Sequence, residues 1–301
     1  VSENGEITYY NNTNSSSEKI KLLNCISAYK NRHTPLLKRK LEDRKSELYF
    51  AKSSELGSVE NFKAKMDNKA ISGVNESDEN IYLSLAEKLE PGKSVKISLE
   101  YTLNLPSEKF TNYGTDGKKF KLKYFFIVPD GFENENQPER NFIDIEENQS
   151  PGIFWTVNLD VPANWFSKSN LKEIQPNYFQ GNLNNDPEFL IAENKFNSIA
   201  TTVDAQNIHI DFGYLLTPAE RQNLEFYLPL QLNFIKSKIG FLPSKILISE
   251  KFKSAENFTG TDDIKFWKFR WQLFDDAKKI DLNYFSILAT NIVEQSSIFQ
   301  Q

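Results

Sequence analysis

The chain has 301 residues, 39% of them hydrophobic, with 36 lysines and arginines against 41 aspartates and glutamates and a net charge of −5. These values describe an ordinary globular protein long enough for two domains, and they exclude collagen-like, disordered and disulfide-stapled classes. One cysteine, Cys25, permits no intrachain bridge, and two histidines, His33 and His209, leave almost no material for a zinc centre or a Ser-His-Asp triad.

Both charge signs alternate along most of the chain, which argues against nucleic acid as a partner. The longest apolar stretches, residues 122–129 and 246–249, fall far short of the roughly 20 residues that span a bilayer. The first residue is Val1, and no charged stretch followed by an apolar one precedes the first strand-like segment, the pattern expected of a processed or truncated product. The compartment is not encoded, and a periplasmic or cell-envelope location is the working expectation. Asparagine makes up roughly a tenth of the chain, so chance accounts for the five N-x-[ST] sequons at Asn11, Asn14, Asn75, Asn148 and Asn257.

In chain order, residues 5–212 read as strands separated by turn clusters. Ile20 and Leu22, then Ile26 and Ala28, alternate across a break near Asn24. The strongest strand is Val95, Ile97, Leu99, Tyr101 and Leu103, with Lys96, Ser98, Glu100 and Thr102 facing the other way. The turn Glu90-Pro91-Gly92-Lys93 precedes it, so segments 81–89 and 94–103 are expected to pair as antiparallel neighbours. Further strands are predicted at 119–128, 152–161, 197–204 and 207–212. Between residues 129 and 150 lies a polar, acidic loop. Asp130, Glu133, Glu135 and Asp144 offer oxygens for calcium there, but their spacing matches no EF-hand.

The pattern changes at Thr217-Pro218-Ala219-Glu220, where Thr217 is a helix cap, Pro218 suits the first helical position and Glu220 completes a capping box. Leu224, Leu228, Leu232, Ile235 and Ile239 form one apolar face of this helix, and Phe226, Leu230 and Phe234 form a second, so it is expected to be buried on more than one side. Pro229 should kink it, and Gly240 followed by Pro243 should stop it. Residues 245–249 then read as a short buried strand. Two more helices are expected at 262–278 and 281–295. The first carries Ile264, Trp267, Trp271 and Phe274 on one stripe with Phe266, Phe269 and Leu273 beside it, and Phe266, Trp267, Phe269, Trp271 and Phe274 are a candidate partner surface. The fold class is therefore α+β, with a large antiparallel β-sheet or sandwich domain over 1–212 and a smaller, mostly α-helical region over 213–301.

Chemistry-bearing motifs are few. No H-E-x-x-H, G-x-S-x-G, G-x-x-x-x-G-K-[ST] or G-x-G-x-x-G segment occurs. His33 sits at a strand or turn boundary and His209 alternates with Ile208 and Ile210 on a strand, so both read as surface or hydrogen-bonded histidines. Cys25 reads as a small buried hydrophobe. The carboxylate pairs Asp262-Asp263, Asp275-Asp276 and Glu146-Glu147 are adjacent in sequence and cannot flank one bond.

Several segments resemble the N-terminal part of the aminopeptidase-N-like (gluzincin) zinc peptidases. They are Ile81-Tyr82-Leu83-Ser84-Leu85 with Leu89-Glu90-Pro91-Gly92, then Val95 to Tyr101, then Asn170-Leu171 ahead of Phe179-Gln180-Gly181. The last is the helix that leads through Ile239-Gly240-Phe241-Leu242-Pro243-Ser244-Lys245 into Ile246-Leu247-Ile248-Ser249. The resemblance implies a saddle-shaped β domain ahead of a thermolysin-like catalytic domain. In that family a G-x-M-E-N segment and the zinc helix follow. Here Ala255-Glu256-Asn257-Phe258-Thr259-Gly260 has no methionine and neither zinc histidine appears. No catalytic or metal residue carries over, and zinc is implied only if a missing downstream domain exists. The expected role is a non-catalytic scaffold of an aminopeptidase-like protein, truncated before the zinc site or degenerate, with a protein partner or a missing C-terminal domain. The alternatives are a cell-envelope peptide- or glycan-binding protein using Tyr113, Phe132, Trp155 and Trp165, and a hydrolase with scattered carboxylates.

Overall fold

The computed structural model describes residues 1–248 except 68, 72, 78, 112, 131–151, 184 and 185. The helices expected at 262–278 and 281–295 lie outside the described residues. The chain divides into two compact units, 1–152 and 153–301.

In chain order, the first unit contains β1 (Ser2–Tyr10), β2 (Ser17–Leu23), a 3-10 turn (Cys25–Tyr29), α1 (Pro35–Glu42), a second 3-10 turn (Ser53–Glu55), β3 (Ser58–Met66), β4 (Lys69–Ala70), β5 (Val74–Ser77), β6 (Asn80–Leu89), β7 (Ser94–Asn104), β8 (Gly114–Thr115), β9 (Lys119–Leu122) and β10 (Val128–Pro129). One antiparallel sheet runs β1-β7-β3-β4 and another β10-β2-β6-β5, with β8 and β9 paired as a hairpin. Strand β7 buries Val95, Ile97, Leu99, Tyr101 and Leu103, as its alternation predicts.

The expected pairing of segments 81–89 and 94–103 does not form. Strand β6 bonds to β2 and β5, whereas β7 bonds to β1 and β3, so the turn at Glu90–Lys93 carries the chain from one sheet to the other. The turn chemistry itself is as expected: the Lys93 amide donates to the Glu90 carbonyl at 3.1 Å, and Gly92 takes a φ of 72° that favours glycine. A second crossing, from β1 to β2, uses the same corner, and Asn11 holds the two together. Its backbone amide donates to the Lys93 carbonyl and its carbonyl accepts from the Gly92 amide. Its side-chain nitrogen donates to the Ser15 and Leu89 carbonyls, both at 2.8 Å, while its side-chain oxygen accepts from the Thr13 amide and hydroxyl. Asn11 is 0% exposed, so all four side-chain hydrogen bonds are made inside the protein and this sequon is closed to a glycan.

Two other expectations change. Residues 25–29 form a 3-10 turn rather than a strand, with the Ser27 amide on the Asn24 carbonyl and the Lys30 amide on the Ser27 carbonyl, both at 3.1 Å. All five residues are buried, Cys25 among them, so the apparent alternation is part of a continuous buried run. The strand predicted at 119–128 is split into β9 and β10 because Tyr124 adopts a φ of 63°, incompatible with a continuous strand.

The second unit contains β11 (Ile153–Asn158), β12 (Phe166–Ser169), β13 (Lys172–Gln175), β14 (Tyr178–Leu183), β15 (Phe189–Ala192), β16 (Asn197–Val203), β17 (Gln206–Phe212), α2 (Pro218–Ile239) and β18 (Lys245–Ile248). Strands β11, β14 and β13 form one antiparallel sheet, and β12 pairs with β15. Strands β16 and β17 form a hairpin through Asp204 and Ala205, both at positive φ, and β18 joins β17 in parallel.

Helix α2 has the capping box expected at its start: the Glu220 amide donates to the Thr217 hydroxyl at 3.2 Å and the Thr217 amide to the Glu220 carboxylate at 2.8 Å. It ends at Gly240 with φ 85°. It runs unbroken through Pro229, and only one face is buried: Leu224, Leu228, Leu232 and Ile235 pack with Ile199, Ile208, Ile210, Phe212, Ile246 and Ile248. The second apolar face points outward instead, with Phe226 67% and Leu230 53% exposed, while Phe234 packs partly against the core.

Replacing Asn11 with alanine strips two carbonyls and one amide of buried partners and is expected to destabilise the protein by about 3 kcal/mol in urea unfolding, against less than about 0.5 kcal/mol for exposed Asn12→Ala. Equal effects of the two would remove the corner's role.

Candidate functional site

One face of the β16-β17-β18 sheet carries a connected set of polar side chains. Alternation turns Ile208, Ile210 and Phe212 toward α2, which leaves Asn207, His209 and Asp211 on the opposite face. Antiparallel register sets Ser198 opposite Asp211 and Ala200 opposite His209, and parallel register sets Lys245 beside His209. Ser198 donates its hydroxyl to Asp211 Oδ1, and Lys245 Nζ lies 3.7 Å from Asp211 Oδ2. Lys245 Nζ also donates to the Leu171 carbonyl at 3.4 Å and stands 6.0 Å from the centre of the Phe179 ring, with the ion pair of Lys168 and Glu173 (3.3 Å) near it. Burial holds the Lys245 ammonium below the ordinary lysine range, against the opposing pull of Asp211.

A serine nucleophile needs its hydroxyl on a base that can take the proton, and the Ser198 proton is directed at a carboxylate held by a cation. His209 has a lysine as its register neighbour, and His33 is an exposed turn residue of the other unit whose amide donates to Asn31 Oδ1 at 2.8 Å. Among the described residues no three His, Cys, Asp or Glu side chains are grouped to hold an ion.

The aromatic candidates separate. Tyr113 belongs to the first unit, half-buried and edge-on to Tyr124 at 5.4 Å, with Lys123 Nζ 5.6 Å from its ring centre. Trp155 and Trp165 belong to the second unit and are half-buried: Trp155 sits opposite Gly181 on β14, and the Trp165 amide closes a turn onto the Pro162 carbonyl at 2.8 Å. Phe132 lies outside the described residues, as do Phe266, Trp267, Phe269, Trp271 and Phe274. Of the calcium candidates, Asp130 is buried and paired with Lys21 at 3.0 Å, while Glu133, Glu135 and Asp144 lie outside the described residues. The Asp211–Lys245 pair escaped sequence reasoning because its signal is weak. Asp211 takes an ordinary polar place in an alternating strand and Lys245 opens another strand, 34 positions apart in sequence. Glu3 is a second such group. It faces Tyr101 from β1, and burial pushes its carboxyl up to about 7 despite the nearby terminal ammonium.

No family model and no curated protein matches the chain. Solved structures similar to it are M1 zinc metallopeptidases and an aminopeptidase N family protein. The M1 zinc metallopeptidase of Deinococcus radiodurans has a TM-score of 0.47 at 10% identity, over 83% of this chain and 53% of that one. A mutant of it bound to a Tyr-Ser-Ala substrate has a TM-score of 0.46 at 11%, over 84% and 54%. The aminopeptidase N family protein of Idiomarina loihiensis has a TM-score of 0.45 at 11%, over 88% and 43%. The chain thus spans about half the length of the solved structures it matches.

Replacing Lys245 with methionine leaves the Asp211 carboxylate buried without its cation and is expected to destabilise the protein by about 2 kcal/mol in urea unfolding. Adding Asp211→Asn should restore most of that loss, because a neutral amide at this position needs no cation. Strictly additive losses would show that the two groups do not act as a pair.

Proposed function

We propose that the chain is a non-catalytic scaffold and interaction region of an aminopeptidase-like protein, supplying the β-rich part and the first helix and strand that lead toward a peptidase-type domain. The observation that carries this reading is the order of elements across α2 and β18. The helix is capped at Thr217 and stopped at Gly240, and a lysine-led strand then lies parallel to β17, on the residues where the sequence resembles that family. The outward row of α2 adds to it. Phe226 and Leu230, together with exposed Leu215 just ahead of the helix, are what a helix presents when a further protein layer is to cover it. In this role the chain's own residues position that layer and perform no bond-breaking step.

Purified chain incubated with zinc and a panel of aminoacyl p-nitroanilides is expected to release no more product than buffer. Hydrolysis that a chelator stops and His209→Ala abolishes would overturn the proposal.

A further inference from the structure

The excursion from residue 30 to residue 52 concentrates charge of one sign. It carries eight lysines and arginines against three acidic residues, a net of +5 in a chain whose total is −5. The other 278 residues therefore carry −10. Helix α1 is pinned from below by buried Leu36 and Leu37 and capped by Thr34, whose hydroxyl accepts from the Leu37 amide at 3.3 Å, so Lys38 and Arg39 face outward. Beyond it, the Asp43 amide donates to the Arg39 carbonyl and the Lys45 amide to the Lys40 carbonyl, folding Arg44 and Lys45 back against the helix end. Arg32 ties the far side down: its guanidinium donates to the Ala51 carbonyl at 3.2 Å and lies 5.9 Å from the Tyr49 ring centre.

This same basic excursion shows water a group of large apolar side chains. Phe50 is 73% exposed, and Leu41 and Tyr49 of the same excursion are exposed as well. The Tyr49 and Phe50 rings meet edge-on, 5.1 Å apart at 88°. Rings set perpendicular cannot both stack on successive bases, and Leu41 cannot stack at all, so the apolar group suits insertion better than nucleic-acid binding. Protruding aromatic and aliphatic side chains among lysines and arginines match the boundary of an anionic bilayer, where the rings enter the headgroup layer and the cations meet lipid phosphates.

We propose that α1 and the turn after it form a docking surface for an anionic lipid membrane, with Phe50 as the inserting side chain and Lys38, Arg39, Arg44 and Lys45 as the electrostatic contact. This attachment is peripheral and independent of the scaffold reading, since it uses no residue of α2 or β18.

The test is co-sedimentation of the whole chain with vesicles of three parts phosphatidylcholine to one part phosphatidylglycerol and with vesicles of phosphatidylcholine alone. Binding is expected to the mixed vesicles only and to weaken as salt is raised. It should fall about tenfold in Phe50→Ser and be lost in the Lys38→Glu, Lys45→Glu double variant, in proteins whose melting temperatures match the parent. Absence of binding, equal binding to neutral vesicles, or binding unchanged in both variants would overturn the proposal. Binding of a fluorescent single-stranded oligonucleotide in preference to the vesicles, lost in the same variants, would reassign the surface to nucleic acid and overturn it equally.

Discussion

The first unit depends on the Asn11 corner. The chain crosses between the two sheets several times, and two of those crossings, β1–β2 and β6–β7, pass this point. A crossing leaves backbone groups with no ladder partner, and a buried carbonyl left bare costs more than a hydrogen bond returns. Asn11 resolves this with two donors and one acceptor oxygen, all occupied: its amide nitrogen serves Leu89 and Ser15, and its oxygen holds Thr13. With the corner closed, β7 is free to be the centre of one sheet and β6 of the other, and the alternation of each buries a separate face.

In the second unit the same principle of shared work shapes the β16-β17-β18 sheet. One face is apolar and is sealed by α2 through Leu224, Leu228, Leu232 and Ile235. The other bears the Ser198–Asp211–Lys245 chain of contacts, in which a buried carboxylate is compensated by a partly desolvated ammonium. Such a pair is weak as a source of net stability but strict about which strand lies beside which, because an alternative register would strand a charge. Helix α2 also turns Phe226 and Leu230 outward, a row on which the proposed scaffold role draws.

Much of this was legible in the residues, for local reasons. The Thr217–Glu220 box, the stop at Gly240 and the alternation of β7 are encoded within a few neighbouring positions, and each formed as the sequence implies. What misled was non-local. The turn at Pro91-Gly92 has hairpin chemistry, yet its flanking strands pair elsewhere because Asn11, 80 positions earlier, redirects the chain. Phe226 and Leu230 looked buried because periodicity reports which residues share a face and says nothing of what covers that face. The Asp211–Lys245 contact depends on a parallel pairing across an intervening 22-residue helix, beyond the reach of any local motif. Helix α1 and strands β12, β13 and β15 were missed because four-residue strands and an eight-residue helix carry too few positions for a period to emerge.

In the scaffold role proposed above the chain acts by shape and surface, and its sequence carries no H-E-x-x-H segment. His209 sits beside a lysine and His33 in an exposed turn, neither in company that would hold a divalent ion among the described residues. Calorimetric titration of the whole chain with Zn2+ tests this most directly. Only weak, non-stoichiometric heats are expected, unchanged by His33→Ala or His209→Ala; a single tight one-to-one site lost with either histidine would contradict the scaffold role.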